Sequence, residues 1–524
     1  MFAFLLRWRG SFVLAGVGLL LFTGCPPTAP VDLTPAGNSG THLFRFAHIT
    51  DPQIVDEESP ARAVRFTDFN RSAWRPQEAF GVHTLDATLQ VVNRLHREAP
   101  GRPVGFLVVT GDLVDLAQRN ELQWFIDTMD GNVVTADSGE TDGVVRTDDP
   151  QLNPKLPYDA VGLDPTIPWY TCFGNHDGLA VGTFPIDRSL AQAADWSAPL
   201  LPVVADFLGL RDLGLGGGRL FATDDWSPAV LAGSGVPLLA ESYRLDLSQV
   251  VAGPVVPDRE RQFLSKADFI ALHLESDTEP PGHGFTELAL AEGRTHYVAH
   301  PVPGVPLRLI VFDTVAHDAR PGFPAHFGTL APAHFTDFVL PQLEAAAAAG
   351  DWVILASHHP STDFDQGLVG ARVRTHTFRA AVASYPNVIM HLNGHTHRHR
   401  SDRVEGPYPY LEIATASVID YPQEGRLLDV FLEADGATLR IESAAFGHQE
   451  SPTAFSAESF RLAEIDRANR LGTPSGTGAA AGHGSIIGDK GNFRIRLPRD
   501  DTQVVGNSVG SVSSNQAPPF SLLP

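Results

Sequence analysis

Six short apolar runs, each followed at once by polar residues, constrain the fold of this chain more than any other feature. They span residues 43–49, 104–110, 168–173, 307–312, 352–356 and 388–392. Runs of this length, rich in Val, Ile, Leu and Phe, predict buried strands. Residues 84–98 and 334–349 instead carry apolar side chains at helical spacing, as in Leu85, Leu89, Val92 and Leu95. Alternating strands and helices predict a layered α/β core.

Polar clusters at the ends of these predicted strands indicate a site along one rim of the sheet. The clusters are Asp51, 111–115 (GDLVD), 174–177 (GNHD), 358–360 (HHP) and 394–397 (GHTH). Carboxylate, amide and imidazole groups suit metals of intermediate hardness, such as Mn, Fe or Zn. These clusters contain no Cys, which argues against a structural zinc site. One such cluster is a weak signal, whereas an ordered series at strand ends indicates a shared site.

In this order the clusters resemble the calcineurin-like metallophosphoesterase superfamily, whose pattern is D-x-H, G-D-x-x-D, G-N-H-[DE], H and G-H-x-H. The resemblance extends from about residue 43 to 442, and four of the five motifs match fully. It implies an α/β fold in which a metallophosphoesterase-type β-sandwich is flanked by helices, with long loop insertions over a dimetal site. This refines the layered prediction, because periodicity alone does not divide the strands between two sheets.

The resemblance also implies a role for each matching side chain. Asp112 is expected to bridge two divalent or trivalent metal ions, which are Mn, Fe or Zn. Asp51 and His397 are expected to complete one metal. The ligands expected to complete the other metal are Asn175, His358 and His395.

Three neighbouring residues receive different roles from the same resemblance. His358 is preferred over His359 because the family ligand stands two residues before a proline, and His359 is expected in the core or beside the ligands. His176 corresponds to the family histidine that contacts the phosphate and protonates the leaving oxygen. Asp115 is expected to orient His176 by accepting its ring N–H.

The first motif departs from the family pattern, because Gln53 stands where the family has His. A carboxamide oxygen is a weaker ligand than imidazole, and it does not titrate. Three outcomes are open: the metal beside Asp51 is held loosely, it binds Gln53 through oxygen, or it takes an additional water. The occupancy of both metal positions and the identity of the metals therefore stay open.

The resemblance implies an enzyme that hydrolyses phosphoric esters, monoesters or diesters, through a metal-bridging hydroxide. Its implied partner is a small phosphorylated substrate. The formal net charge of −23 argues against a nucleic-acid partner, since phosphate backbones are bound by an excess of Lys and Arg. The alternative is a metal-binding cell-envelope lipoprotein with impaired catalysis, which Gln53 favours. Cys172 is interpreted as a buried small hydrophobe rather than a nucleophile.

The N-terminus has the pattern of an export signal. Arg7 and Arg9 precede an apolar stretch, 12–22, that is short for a membrane span, and Thr23-Gly24-Cys25 follows. These residues resemble a bacterial lipoprotein cleavage site, which implies loss of residues 1–24 and a lipid anchor on Cys25 at the cell envelope. The alternative is an ordinary secretory signal and a secreted or periplasmic soluble protein.

The expected organisation places a tether at residues 25–42 and the metallophosphoesterase domain at residues 43–450. Insertions at about 119–165 and 178–300 are expected to form walls or lids over the site. Residues 451–524 are expected to form a C-terminal extension that is largely low-complexity, with 492–497 as a lone strand.

Two further groups of polar residues are predicted to lie in solvent and to have no role in the site. The cluster of Asp68, Asn70, Arg71 and Arg75 is interpreted as a solvated loop, and pairing with a substrate phosphate is the alternative. Residues 398 and 399, which follow the last motif, are expected to be exposed.

Overall fold

The computed structural model describes residues 40–59, 74–139, 152–186, 258–315, 325–366, 371–471 and 493–499. Most of the strands there belong to two six-stranded sheets. The strands are β1 Thr41–Ile49, β2 Leu107–Val109, β3 Val133–Val134, β4 Tyr158–Asp159, β5 Trp169–Thr171, β6 Leu179–Ala180, β7 Phe184–Pro185, β8 Tyr297–Ala299, β9 Leu307–Val311, β10 Trp352–Ala356, β11 Val388–Asn393, β12 Arg400–Val404, β13 Tyr410–Ala414, β14 Glu424–Leu432, β15 Thr438–Gly447 and β16 Phe493–Pro498.

The first sheet has the order β16-β15-β14-β1-β2-β5, and the second has the order β12-β13-β11-β10-β9-β8. β1, β2 and β5 run parallel, as do β9, β10, β11 and β13. Parallel strands covered on both faces read as continuous apolar runs, and every residue of β2, β5, β10, β11 and β13 is buried. The predicted α/β class and the β-sandwich with flanking helices are confirmed.

Helices lie beside these sheets. They are α1 Gly81–Glu98, α2 Arg119–Asp130, α3 Asn175–Gly178, α4 Lys266–Glu275, α5 Glu287–Glu292, α6 Leu340–Ala349, α7 Thr375–Val382 and α8 Ala454–Leu471. A short helical turn, Pro332–His334, and a π-helical turn, Phe335–Val339, precede α6. Single turns of 3-10 helix occupy Glu78–Phe80, Arg259–Arg261, Pro281–Gly284, Ser361–Asp365 and His448–Glu450.

The predicted apolar face of α1 packs into the core. Leu85, Leu89, Val92 and Leu95 are each no more than 4% exposed. Full burial of one such side chain contributes roughly 1.5–3 kcal/mol. The helix begins three residues before the predicted stretch and ends where that stretch ends, at Glu98.

Two parts of the expected organisation take a specific form in the described residues. The segment 119–165, expected as an insertion over the site, begins with α2, which packs on α1 and α4. The lone strand expected at 492–497 is β16, which pairs antiparallel with β15 at the edge of the first sheet. The composition around β16 gave no sign of this pairing, because its partner lies far away along the chain.

Several expectations fall on residues outside the described ranges. These are the signal at 1–24, the lipid anchor at Cys25, residues 26–39 of the tether, Asp68, Asn70, Arg71, and much of the segments 178–300 and 451–524. No helix within the described ranges has the length and the apolar character that a bilayer crossing needs.

Candidate metal centre

The predicted ligands lie in loops that follow β1, β2 and β5 of the first sheet and β10 and β11 of the second. These strands are neighbours within their sheets, and parallel neighbours end at the same rim. The two rims meet, and the loops there carry Asp51, Asp112, Asn175, His358, His395 and His397.

Five of the candidate residues hold a left-handed backbone conformation. The angle φ is 52° at Asp51, 41° at Gln53, 49° at Asp112, 61° at His395 and 53° at His397. This conformation costs a non-glycine residue about 1–3 kcal/mol, and residues that hold it cluster at functional sites. The loops are therefore shaped by where their side chains must point rather than by the lowest backbone energy.

Two motif glycines allow the loops to approach each other closely. A Cβ on Gly174 would lie 2.2 Å from Asp112 Oδ1. A Cβ on Gly394 would lie 1.9 Å from Thr50 Oγ1 and 2.5 Å from Asp51 Oδ2. A side chain at either position would therefore displace a carboxylate of the site.

Asp112, Asn175 and His358 form one side of the site. His358 Nε2 lies 3.1 Å from Asp112 Oδ2 and 3.0 Å from Asn175 Oδ1. His358 Nδ1 donates to the carbonyl oxygen of Thr110 at 2.8 Å, which leaves Nε2 to face the site. Asn175 is held by donation from its Nδ2 to the carbonyl of Gly182 at 2.9 Å.

Asp51, Gln53 and His397 form the other side. His397 Nε2 lies 3.1 Å from Asp51 Oδ1, and His397 Nδ1 lies 2.7 Å from Asp420 Oδ2. Gln53 Nε2 lies 3.4 Å from Asp112 Oδ2. Gln53 Oε1 is buried and has no hydrogen-bond partner among the described residues. This side therefore holds a buried amide oxygen without a hydrogen-bond partner among the described residues, in a side chain whose other end approaches Asp112.

His395 lies between the two sides. Its backbone N–H donates to Asp51 Oδ2 at 3.1 Å, and its ring centroid lies 5.2 Å from that of His358. Its ring also lies 4.5 Å from that of His359, centroid to centroid. The ring of His395 therefore lies beside His358, while its backbone contacts Asp51 on the other side.

His359 has other partners for both ring nitrogens, although it lies in the same histidine group. Its Nδ1 is 2.9 Å from the hydroxyl of Thr314, and its Nε2 donates to the carbonyl of His326 at 3.2 Å. The burial of this ring and the nearby charge of His358 lower the pKa of His359 to about 3. This arrangement favours His358 over His359 as the ligand.

The residues present fit metal cations. Ligand atoms of Asp51, Asp112 and His358 all lie within 4.8 Å of one another. Burial would raise the pKa of Asp112, but the charge of His358 holds it far below its usual range. Burial opposes protonation of the two histidines, yet Asp112 raises the pKa of His358 to about 9 and Asp51 raises that of His397 to about 10. The buried carboxylates therefore need positive charge nearby, which metal cations would supply. The Gln53 oxygen, which lacks a hydrogen-bond partner among the described residues, would be a further ligand for a cation.

His176 and Asp115 lie beside this centre. His176 Nδ1 donates to the backbone carbonyl of Asp115 at 2.7 Å and lies 3.3 Å from its carboxylate oxygen Oδ1. The backbone N–H of His176 donates to Asp112 Oδ1 at 2.8 Å. Burial lowers the pKa of His176, but Asp112 and Asp115 together raise it to about 8. The ring is therefore oriented by the carbonyl of Asp115 as well as by the expected carboxylate.

Asp177, the last residue of the GNHD cluster, joins two of the motif loops. Its carboxylate accepts from the backbone N–H groups of Leu113 at 2.8 Å, Val114 at 3.2 Å and Gly174 at 2.7 Å. Burial and the neighbouring Asp112 raise the pKa of Asp177 to about 7. The motif in the sequence marked this residue, but only the fold shows that it ties loops together.

Sequence reasoning missed Asp420 and misjudged Arg75. Arg75 is 2% exposed and not solvated, because its guanidinium lies 3.1 Å from Asp420 Oδ1 and 3.3 Å from Asp115 Oδ1. Asp420 in turn contacts His397, from which it is 23 residues distant along the chain. No local pattern marks either residue, since their partners come from separate loops.

Two other expectations meet different outcomes. His399 is 0% exposed, contrary to the expectation, because its Nε2 pairs with Glu424 Oε2 at 3.0 Å between strands. Arg398 is half-buried. Cys172 is fully buried, as predicted, and burial raises the pKa of its thiol well above the usual value.

Comparison with known proteins places these residues in a family context. Residues 44–249 match the family model described as calcineurin-like phosphoesterase. No curated protein matches the sequence significantly. The solved structures that it resembles include a dimetal phosphatase from Danio rerio, with 11% identity and a TM-score of 0.36, covering 78% of this chain and 97% of that one. Another is a 5'-nucleotidase from Candida albicans, with 11% identity and a TM-score of 0.30, covering 82% of this chain and 59% of that one.

Proposed function

We propose that this chain, whose residues 44–249 match the calcineurin-like phosphoesterase model, hydrolyses phosphoric esters of small molecules with the help of two metal ions. One observation carries the proposal: ligand atoms of Asp51, Asp112 and His358 converge within 4.8 Å at a rim that also holds the pair His176–Asp115. Metal binding alone would explain the first group. The oriented histidine beside it favours turnover.

The ligand roles follow the positions of the side chains. Asp112 lies between the two sides, because its Oδ2 is 3.1 Å from His358 Nε2 and 3.4 Å from Gln53 Nε2, so this carboxylate would bridge the two metals. Asp51 and His397 would hold one metal, with Gln53 offering its unpaired oxygen. The other metal would be held by Asn175, His358 and His395. When bound, two metal ions supply charge that stabilises phosphoryl oxygens and lower the pKa of a water molecule.

The chain's own residues would do the remaining work. Asp115 engages Nδ1 of His176, so the proton that His176 can donate to a leaving oxygen is the one on Nε2. The carboxylate of Asp115 beside His176 favours the protonated form of this ring, because it raises the pKa of His176. The side chain of His176 is 20% exposed, which leaves it accessible to a substrate at the rim.

The test is metal-dependent release of nitrophenol from 4-nitrophenyl phosphate and bis(4-nitrophenyl) phosphate by the purified chain with Mn, Fe or Zn. The two substrates separate monoesterase from diesterase activity. We expect Asp112→Asn to abolish release of nitrophenol. We expect His176→Ala to slow hydrolysis of phenyl phosphate about 10²–10⁴-fold, the usual contribution of a general acid, because the poor leaving group of this ester needs the proton. Asp402→Asn, which changes a carboxylate on β12 away from the rim, is the matched control and is expected to keep full activity.

Two outcomes would contradict parts of the proposal. If the wild-type chain binds metal but releases no nitrophenol with any of the three metals, the result would favour the alternative, a binding module with impaired catalysis. Full activity of His176→Ala on phenyl phosphate would reject the acid role while leaving the metal site in place.

We also propose that the chain is exported and lipid-anchored through Cys25 at a bacterial cell envelope. The pattern at residues 7–25 supports this proposal. Mass spectrometry of the protein from a bacterial host should find an N-terminal Cys25 that carries lipid. A chain cleaved elsewhere and free of lipid would favour the secreted or periplasmic soluble alternative.

A further inference from the structure

We propose that Arg75 is a positioning residue that fixes the acid pair His176–Asp115 relative to the metal ligand His397, acting through Asp420. The inference rests on the proposed function. It starts from an unbroken series of contacts: His176 Nδ1 to Asp115 Oδ1 at 3.3 Å, Asp115 Oδ1 to Arg75 Nη1 at 3.3 Å, Arg75 Nε to Asp420 Oδ1 at 3.1 Å, and Asp420 Oδ2 to His397 Nδ1 at 2.7 Å.

The members of this series are buried and charged. Arg75 is 2% exposed, Asp420 is 1% exposed and Asp115 is 5% exposed. A buried charge is strongly destabilising unless paired, and losing one partner of such a pair leaves the other uncompensated. One guanidinium between two carboxylates offsets this cost on both sides. The arrangement therefore depends on all three residues together.

The geometry of the guanidinium sets the spacing. Its Nε faces Asp420, and its Nη1 faces Asp115. The guanidinium is planar and rigid, so the relative position of the two carboxylates is fixed by a single group. A lysine ammonium is a compact charge on a flexible stem and would not set this distance.

Each of the two carboxylates that contact Arg75 also contacts one histidine and holds its ring in place. Asp420 engages Nδ1 of His397, which leaves Nε2 facing Asp51 at 3.1 Å. Residues that hold the second nitrogen of a ligating histidine fix its orientation and its tautomer. Asp115 does the same for His176. Arg75 therefore links the position of the proposed acid to that of one metal ligand.

Further contacts hold Asp420 in this place. Gln77 Nε2 donates to Asp420 Oδ1 at 3.2 Å, and the backbone N–H of Asp420 donates to Ser417 Oγ at 2.9 Å. The backbone N–H of Arg75 donates to Glu78 Oε2 at 3.0 Å. With its guanidinium engaged on both sides and shielded from solvent, Arg75 acts from behind the site rather than on a substrate phosphate.

The test uses Arg75→Lys in the full chain, with Arg45→Lys as the matched control. Arg45 is another arginine that is 2% exposed, and it pairs with Asp429 away from the rim. The first readout compares turnover of 4-nitrophenyl phosphate, which has a good leaving group, with that of phenyl phosphate, which has a poor one. A misplaced acid slows the second substrate selectively, and we expect the ratio of the two rates to change about tenfold or more in Arg75→Lys.

The second readout is metal retention against a chelator, measured without substrate. We expect Arg75→Lys to lose one of its metals about tenfold more readily. Tenfold is the lower end of the loss in metal affinity that follows mutation of residues that hold a metal ligand in place. Asp420→Asn should weaken metal retention in the same way, and it replaces Arg75→Lys if that variant does not fold. Arg45→Lys should change neither readout.

Wild-type values of both readouts in a folded Arg75→Lys or Asp420→Asn variant would overturn the inference, as would equal changes in Arg45→Lys. If the wild-type chain hydrolyses neither ester, the proposed function fails. Metal retention by Arg75→Lys then becomes the only test of whether Arg75 positions His397. Retention equal to that of wild type would reject this role for Arg75.

Discussion

Gln53 is the residue at which this site departs from the motif pattern of the calcineurin-like phosphoesterases that it resembles. Its Oε1 is buried without a hydrogen-bond partner in the described part of the chain, and its Nε2 approaches Asp112 at 3.4 Å. A buried acceptor without a partner costs about 1–3 kcal/mol. The backbone also holds Gln53 at a φ of 41°. Both features fit a side chain that serves a bound cation.

The change Gln53→His is expected to make the metal beside Asp51 harder to remove, because imidazole is a stronger ligand than a carboxamide oxygen. The measurement is the chelator concentration that removes half of the metal. Gln123→His, on the outer part of α2, is the control and should match wild type. Unchanged stoichiometry and affinity in Gln53→His would show that this position does not contact metal.

Asp429 gives a prediction about pH. Burial raises the pKa of its carboxyl group, but hydrogen bonds from His42 and Arg45 and the charges of Arg45 and Arg102 outweigh burial and lower it. A carboxyl group with a folded pKa below its unfolded value of about 3.9 stabilises the fold above that value, and this stability is lost as pH falls through the folded pKa.

Wild type is therefore expected to be more stable than Asp429→Asn at neutral pH, and the gap should narrow below about pH 4. Urea unfolding midpoints across pH measure this gap. Asp351→Asn, which removes a carboxylate with a comparable arginine partner at Arg308, tests whether the effect belongs to Asp429. A gap that stays constant between neutral and acid pH would contradict the assigned shift.

The sequence identified candidate site residues where they belong to a motif, and it did not identify those that lie outside the motifs. The loops carrying Asp112, Asn175 and His358 converge as the motif order implied. Arg75 and Asp420 were not recognisable, because a buried charge looks the same in a sequence as an exposed one. Burial is decided by which loops meet, and that depends on closure of the two sheets.

At the scale of elements, β16 shows how a short segment joins distant parts of the fold. It pairs with β15 at the edge of the first sheet. Arg499, the residue after it, donates to the carbonyl oxygens of Pro409 and Val388, both at 2.7 Å. Both acceptors belong to the second sheet region, because Val388 is the first residue of β11 and Pro409 directly precedes β13. The sequence predicted a strand at 492–497 but not its partner, because pairing over such a separation leaves no local signal.

The change Arg499→Ala is expected to lower the free energy of unfolding by about 1–3 kcal/mol, because two carbonyl oxygens would lose their donor. Urea denaturation measures this. Arg403→Ala, which removes an exposed partner of Glu405, should cost no more than about 1 kcal/mol. Equal effects of the two changes would mean that Arg499 does not connect the sheets energetically.

At the scale of the whole molecule, the candidate centre lies where the two sheets meet. The first sheet supplies Asp51, Asp112 and Asn175, and the second supplies His358 and the histidines after β11. A ligand that binds only the folded state adds about 2.7 kcal/mol when present at 100 times its dissociation constant. Metal binding should therefore stabilise the joint between the sheets.

Chelation is expected to lower the melting temperature of the full chain by at least about 2 °C, and added Mn, Fe or Zn should restore it. Differential scanning calorimetry measures the shift. Asp112→Asn should show no response to metal, since it lacks the carboxylate that is proposed to bridge the two ions. A wild-type melting temperature that ignores chelator and metal would reject binding to the folded state.

The division of the ligands between sheets has a consequence for the order of biosynthesis. A ribosome releases the first sheet's Asp51, Asp112 and Asn175 long before it has made His358, His395 and His397. A half-made polypeptide therefore holds only the oxygen donors, whose preference is for magnesium, calcium or manganese. The candidate imidazole ligands, which favour iron or zinc, are synthesised last, so we expect only the finished chain to select these metals.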